Sequence, residues 1–133
     1  MEHVIFACVH NAGRSQMAAA FFNQMAEPTR AVATSAGTNP GEHVHPVVVD
    51  VMREVGLEVG GNRPQRLTSE LAQTASLLIT MGCGDECPFV PGLEKDDWPL
   101  DDPKGRPLEE VRRIRDEVRQ RVHALVATRG WGQ

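Results

Sequence analysis

The stretch that decides the fold is VIFACVHNAGRSQMA, residues 4–18, near the start of a chain of 133 residues. A short apolar run leads into a polar loop that contains Gly13, and a small-residue helical pattern begins at Arg14. This order predicts a strand, a loop and a helix. The N-terminus of the helix leaves backbone N–H groups without intrahelical partners, and its dipole is positive there, so the loop is expected to bind an oxyanion.

The side chains of the loop supply a nucleophile and a positive charge at this anion site. Cys8 is placed where the strand gives way to the loop, and Arg14 can hold two oxygens of a tetrahedral anion with its planar guanidinium. The backbone donors, Arg14 and the Ser15 hydroxyl all favour a nucleophilic thiolate at Cys8. The predicted catalytic residues here are Cys8, Arg14 and Ser15, and the predicted substrate-binding residues are Val9, His10, Asn11, Ala12, Gly13 and Arg14.

The rest of the chain reads as alternating strands and helices. Strands are predicted over residues 3–7, 31–34 and 77–81, with a short fourth strand beginning at 89–90, and residues 91–107 are expected to be irregular. Helices are predicted over 14–26, 46–55 and 68–74, and from Pro107 onward, with Thr68 as an N-cap. Parallel β-α-β units follow, and ligands bind beyond the carboxyl ends of the strands of such sheets. The length predicts a single domain, residues 1–133.

Two further cysteines, Cys83 and Cys87, follow the third predicted strand. Spacing alone allows half of a zinc site, two inert buried thiols, or a redox pair that supplies two electrons. The His43 and His45 pair lacks a third ligand in view, and we predict no metal and no cofactor.

Charge and hydropathy exclude some classes of binding partner and cellular location. The chain has 14 basic and 18 acidic residues, which argues against nucleic acid or an anionic membrane as a main partner. It shows no apolar run long enough for a bilayer and no signal-peptide pattern at its start. We therefore expect a cytoplasmic location, where cysteines serve as reactive thiols or metal ligands rather than as a disulfide framework.

The Cys-x5-Arg-Ser loop from Cys8 to Ser15 resembles that of the low-molecular-weight tyrosine phosphatases and of the arsenate reductases that share their fold. The stretch TMGCGDECP, residues 80–88, resembles the resolving-cysteine segment of those reductases, and Asp102 before Pro103 matches the general acid of both groups. The resemblance implies a three-layer α/β/α fold with a four-stranded parallel sheet. The family's potassium-binding Glu in the first helix is replaced here by Ala19.

The resemblance implies a thioredoxin-coupled arsenate reductase. Cys8 would attack arsenate, for which phosphate or sulfate are mimics. Asp102 would protonate the leaving oxygen, and the disulfide would pass to Cys83 and Cys87. Alternatives are a mycothiol-dependent reductase, a phosphatase for small phosphoesters, and an arsenic-binding module. The absence of Tyr and the presence of Lys104 after the Asp-Pro pair argue against a tyrosine phosphatase.

Overall fold

The protein is described by a computed structural model that covers residues 1–81 and 92–133. Its strands and helices alternate along most of the chain, as the apolar pattern predicts. The elements are β1 (Glu2–Cys8), α1 (Arg14–Met25), β2 (Ala31–Gly37), α2 (Pro46–Arg53), α3 (Ser69–Gln73), β3 (Leu77–Thr80), β4 (Glu94–Asp97) and α4 (Leu108–Arg129).

The four strands form one parallel sheet in the order β2-β1-β3-β4. The register pairs Cys8 with Gly37 on one side of β1 and Ala7 with Thr80 on the other. All carboxyl ends therefore lie at one edge of the sheet, and Cys8 stands at the end of a central strand.

Helices cover both faces of the sheet, because alternate strand residues are apolar on both sides. The larger core packs α1, α2 and α4 on one face around Phe6, Phe22 and Trp98, and the smaller core packs α3 on the other face around Ile5 and Leu78. The predicted three-layer α/β/α fold with a four-stranded parallel sheet is confirmed.

Some element boundaries differ from the sequence prediction. The segment 91–107 was predicted to be irregular, but it contains β4, whose residues are all exposed and charged. This edge strand pairs with β3 on one side and its side chains are exposed, so it has no apolar alternation that a sequence pattern could reveal. Helix α2 ends at Arg53 rather than at Val55, and Leu108, the first residue of α4, is 41% exposed.

Thr68 caps α3 as predicted, because its hydroxyl oxygen accepts a hydrogen bond from the Leu71 N–H at 3.0 Å. Within residues 1–81 and 92–133, no helix is both long and apolar enough to cross a membrane.

Candidate active site

The loop between β1 and α1, residues 8–14, surrounds a small hollow at the carboxyl edge of the sheet, and we call it the anion loop. Cys8, at the end of β1, is 3% exposed, and Arg14, at the start of α1, is 8% exposed. The hollow is narrow, and the centre of a water-sized sphere can occupy only about 10 Å³ of it. Its lining consists of Cys8, His10, Ala12, Gly13, Arg14, His45 and Asp102.

The carbonyl groups of the anion loop all bond to the body of the protein outside the hollow. In a planar trans peptide the N–H of the next residue points the opposite way, so we infer that the amides of residues 9–13 are turned toward the hollow. This arrangement can hold the oxygens of a tetrahedral anion. The bonds run from Thr38 N to Cys8 O (3.2 Å), Asn39 N to Val9 O (2.8 Å), Gly41 N to His10 O (3.0 Å), Gln16 Nε2 to Asn11 O (3.0 Å) and His45 N to Ala12 O (2.9 Å).

The sulfur of Cys8 lies at the end of a directed chain of hydrogen bonds. The Asn11 Oδ1 accepts from the backbone N–H of Gln65 at 2.9 Å, which fixes the Asn11 amide so that Nδ2 donates to Ser15 Oγ at 2.8 Å. Ser15 then has its own proton free to donate to Cys8 Sγ, 2.9 Å away. A donor aimed at this sulfur stabilises its thiolate form.

Arg14 and Asp102 close the hollow from the side of the segment that follows β4. The Arg14 Nη1 donates to the Leu100 carbonyl at 2.8 Å, and its Nη2 lies 3.8 Å from the Asp102 carboxylate. The guanidinium is thus oriented by backbone on one side and faces the predicted acid on the other. An anion in the hollow would lie between the Cys8 sulfur and these two groups.

Asp102 belongs to the segment of residues 99–107, which we call the acid loop and in which Leu100 and Pro103 are buried while the other residues are exposed. Its side chain is 48% exposed, and its Oδ1 accepts from the Lys104 N–H at 3.0 Å. The Arg106 side chain donates to the Asp102 carbonyl at 2.8 Å, and Arg113 of α4 bonds Asp101 at 3.0 Å. Trp98 is 5% exposed and packs on Phe6 beneath this loop.

Two glycines permit the close approach of the loops. A Cβ at Gly37 would lie 2.5 Å from the Val9 carbonyl oxygen and 2.9 Å from the Asn11 nitrogen, so only glycine lets β2 touch the anion loop. A Cβ at Gly13 would lie 2.9 Å from Pro103 Cγ, so the anion loop and the acid loop are in close contact at Gly13 as well as at Arg14.

Histidines form the rim of the hollow. The Nδ1 of His10 bonds the Asn39 carbonyl at 3.0 Å, so that nitrogen carries the proton. Burial lowers the pKa of His45 below its ordinary value of 6.5, and the Asp102 charge opposes that shift. In the described ranges no three His, Cys, Asp or Glu side chains are grouped as a metal site would need.

The structure brings together the predicted residues of the anion loop, Ser15 and Asp102. Cys83 and Cys87 lie outside the described residues, so their predicted redox roles stay predictions. Sequence reasoning missed Gln16 and Gln65, which fix Asn11, and the Leu100 carbonyl, which orients Arg14. Their neutral polar side chains and backbone groups carry no spacing signal, since each contact depends on the tertiary fold.

Residues 3–129 match the model of the family described as low molecular weight phosphotyrosine protein phosphatase. The glutaredoxin arsenate reductase of a Synechocystis species is 35% identical over 130 residues, which cover 96% of this chain and 98% of that protein.

Solved structures agree with this match. A thioredoxin-dependent arsenate reductase of Corynebacterium glutamicum superimposes with a TM-score of 0.83 and 35% identity over 96% of this chain. The present chain spans only 61% of the length of that one. An arsenate reductase in a phosphate-binding state superimposes with a TM-score of 0.84 and 32% identity, covering 96% of this chain and 98% of that one.

Proposed function

Because the chain belongs to the low molecular weight phosphotyrosine protein phosphatase family, we propose that Cys8 is the nucleophile of a reaction on a tetrahedral oxyanion, and that the oxyanion is arsenate. The observation that carries the proposal is the bond between Ser15 Oγ and Cys8 Sγ at the floor of a hollow lined by loop amides. The names of the similar proteins above favour arsenate over a phosphoester.

In the first step the Cys8 thiolate attacks arsenic and forms a sulfur–arsenic bond. The opposite arsenic–oxygen bond breaks, and Asp102 gives its proton so that the oxygen leaves as water rather than as hydroxide. The loop amides of residues 9–13 and the Arg14 guanidinium balance the negative charge on the remaining oxygens.

In the second step the Cys83 thiolate attacks Cys8 Sγ. A sulfur–sulfur bond forms while the sulfur–arsenic bond breaks, and its electron pair stays on arsenic, which leaves as arsenite. Cys87 then attacks Cys83, forms the Cys83–Cys87 disulfide and releases Cys8 as a thiolate. A dithiol protein of the thioredoxin class returns the two electrons.

Covalent connectivity supports the relay. The Met81 N–H donates to the Ala7 carbonyl at 2.7 Å, so the chain passes Met81 beside the residue that precedes Cys8. Cys83 is two residues beyond Met81, and two residues span at most about 7 Å. Met81, the last described residue before Cys83 in the sequence, therefore lies beside the strand that carries Cys8.

The reductant is proposed to be thioredoxin, and the similar proteins differ on this point, since one is named for glutaredoxin and another for thioredoxin dependence. A small thiol such as mycothiol is the other candidate. We also propose that the protein acts in the cytoplasm, where these reductants are kept reduced, and that neither nucleic acid nor a membrane is a partner.

The test is disulfide mapping by mass spectrometry after one turnover of the fully reduced protein with arsenate. We expect a Cys83–Cys87 bond in the wild type, a trapped Cys8–Cys83 bond in Cys87→Ser, and no disulfide in Cys83→Ser. Steady-state arsenite production with thioredoxin should fall to background in both variants.

Two outcomes would replace the proposal. Undiminished turnover of Cys83→Ser with a small thiol would mean that the thiol, and not Cys83, attacks the Cys8 adduct. Phosphoester hydrolysis with no arsenite produced by any reductant would identify a phosphatase, and Cys8→Ser is the control that must abolish either activity.

A further inference from the structure

The Asn11 side chain is itself held by a second buried amide that does not reach the hollow. Gln16 in the first turn of α1 is 3% exposed, and its Nε2 lies 3.0 Å from the Asn11 carbonyl oxygen and 3.3 Å from Asn11 Oδ1. One nitrogen with two protons thus serves both oxygens of Asn11. Gln16 does not line the hollow, so its side chain would not touch a bound anion.

Asn11 needs this support because of its backbone. It is fully buried and has a φ of +52°, the left-handed region that a residue other than glycine enters at a cost. The Asn11 amide can be oriented in two ways that exchange its oxygen and its nitrogen. Only one of them places Nδ2 next to Ser15 Oγ. The Gln65 N–H and the Gln16 amide both require an oxygen at Oδ1, and together they select that orientation.

The orientation of Gln16 is fixed in turn from the surface. A backbone carbonyl can only accept, so the Gln16 nitrogen must face the Asn11 carbonyl and its oxygen must point away. That oxygen accepts from Nδ2 of Asn62 at 3.2 Å. Asn62 is exposed, in the loop between α2 and α3.

Every donor in this series points the same way, toward the sulfur. Hydrogen bonds in such a chain polarise one another, so each donor strengthens the next. The series runs from Asn62 Nδ2 to Gln16 Oε1, from Gln16 Nε2 to Asn11 Oδ1, from Asn11 Nδ2 to Ser15 Oγ, and from Ser15 Oγ to Cys8 Sγ.

We propose that Gln16, supported by Asn62, is a positioning residue for the nucleophile: it locks the Asn11 amide so that Ser15 donates to the Cys8 thiolate. The inference rests on the part of the proposed function that makes Cys8 a thiolate nucleophile, and it holds whether the substrate is arsenate or a phosphoester. Without the Gln16 donor, Asn11 Oδ1 keeps the bond from the Gln65 N–H but loses the second one, so the Asn11 amide turns over more readily. In the turned orientation Ser15 donates its proton to Asn11 Oδ1 instead of to Cys8.

The test measures alkylation of Cys8 by iodoacetamide, followed by peptide mass mapping so that the other thiols do not contribute. Gln16→Glu keeps the size of the side chain but replaces the donor with acceptors, and Gln16→Met keeps the approximate length without polar atoms. We expect the rate at pH 7 to fall about tenfold in both, the effect of one weakened charge-assisted hydrogen bond. At pH 10, where the thiol is ionised regardless, the rate should match that of the wild type.

Asn62→Ala alters an exposed side chain and keeps the proposal testable if the buried variants fold poorly. We expect about a twofold to threefold fall at pH 7, because it acts one bond farther out. Gln24→Glu makes the same amide-to-carboxylate change at an exposed position of α1 and should leave both rates unchanged.

Equal rates at pH 7 in the wild type, Gln16→Met and Asn62→Ala would overturn the inference. An equal loss at both pH values would also overturn it, since that would mean a general collapse of the loop. If the wild type itself reacts no faster at pH 7 than a free thiol does, the proposed function fails instead, and the two failures are distinguished by that one control.

Discussion

The two loops that face each other across the hollow are held by different kinds of contact. In the anion loop, Asn11 and Ser15 are fully buried and every polar group cited above is bonded inside the protein. In the acid loop, Asp102 is about half exposed, and the ion pair of Asp101 with Arg113 joins two half-exposed side chains.

This difference predicts how each loop responds to change. A buried group that loses its partner carries the full cost of desolvation, about 1–3 kcal/mol, whereas an exposed ion pair contributes about 0–1 kcal/mol. Substitutions among the buried contacts that support Cys8 should therefore cause large losses of activity. Substitutions of the exposed ion pairs around Asp102 should cause small ones. The arrangement suits a thiolate that must be held ready and an acid that must admit the substrate.

Gly37→Ala is expected to have the largest effect, because its Cβ would meet backbone atoms of the anion loop at 2.5 and 2.9 Å, and backbone cannot rotate away. We expect kcat/KM for arsenate to fall at least about 100-fold and stability to fall by about 1–3 kcal/mol. Steady-state kinetics and urea unfolding measure the two effects. Gly61→Ala, whose Cβ would have nothing within 4 Å, is the control. Near-normal activity of Gly37→Ala would show that the anion loop is less rigid than we infer.

Asp102→Asn tests the acid without altering the shape of its loop. We expect kcat to fall about 100-fold, within the usual range for a general acid, because the asparagine amide cannot give a proton to the leaving oxygen. Cys8 alkylation at pH 7 should be unchanged, since Asp102 lies outside the chain that supports the sulfur. A comparable loss in alkylation would mean that Asp102 positions the nucleophile rather than acting as the acid.

The same difference explains what the sequence could predict. The strand, the loop and the helix around Cys8 follow from a local apolar pattern and a fixed spacing, and the Ser15 contact with the sulfur was expected on that basis. The exposed strand β4 carries no such pattern. Its four residues, 94–97, are all charged, which is typical of a loop, and they form a strand because they pair with β3 in the folded protein.

The buried support of the sulfur could not be predicted either. Gln65 reaches Asn11 across 54 positions of sequence, and Gln16 is one polar residue among several in α1. The identity of their partners is set by the packing of the loop before α3 against β2, where the Gly37 N–H donates to the Gln65 carbonyl at 2.8 Å. Only tertiary structure contains that information.

Gly13→Ala tests the point where the two loops touch. Its Cβ would lie 2.9 Å from Pro103 Cγ. We expect the acid loop to shift near Asp102, because the Asp102 side chain is 48% exposed. The predicted result is about a tenfold fall in kcat with unchanged Cys8 alkylation, equivalent to about 1.4 kcal/mol in the barrier.

Pro103→Ala in the same protein removes the ring that the new methyl group meets. A double-mutant cycle should therefore show that the second change restores part of the activity lost by the first. Additive losses would mean that Gly13 matters for its own backbone and not for its contact with the acid loop.

Arg113→Ala removes the exposed anchor of the acid loop on α4. We expect kcat to fall only about twofold to fivefold, because the ion pair with Asp101 is exposed and contributes less than about 1 kcal/mol. High salt should reproduce the effect in the wild type and add little in the variant. Arg112→Ala on the same helix is the control, because it removes a similar exposed ion pair, in this case with Glu54 at the end of α2. A loss as large as that of Asp102→Asn would mean that the Asp101–Arg113 pair contributes more than an exposed ion pair does.

The smallest expected effect concerns His45, which lines the hollow between the two loops. Burial lowers its pKa in the folded protein below 6.5, so the unfolded chain takes up the proton first as the pH falls. The contribution of neutral His45 to stability is therefore present above about pH 6.5 and is lost as the pH drops toward the folded pKa. His45→Gln should lose less stability than the wild type between pH 7 and 5.5, by about 1–2 °C in Tm. His43→Gln changes an exposed neighbouring position and should follow the wild-type profile of Tm against pH. Identical profiles for all three proteins would mean that the His45 side chain is solvated in the folded protein, as the Asp102 side chain is.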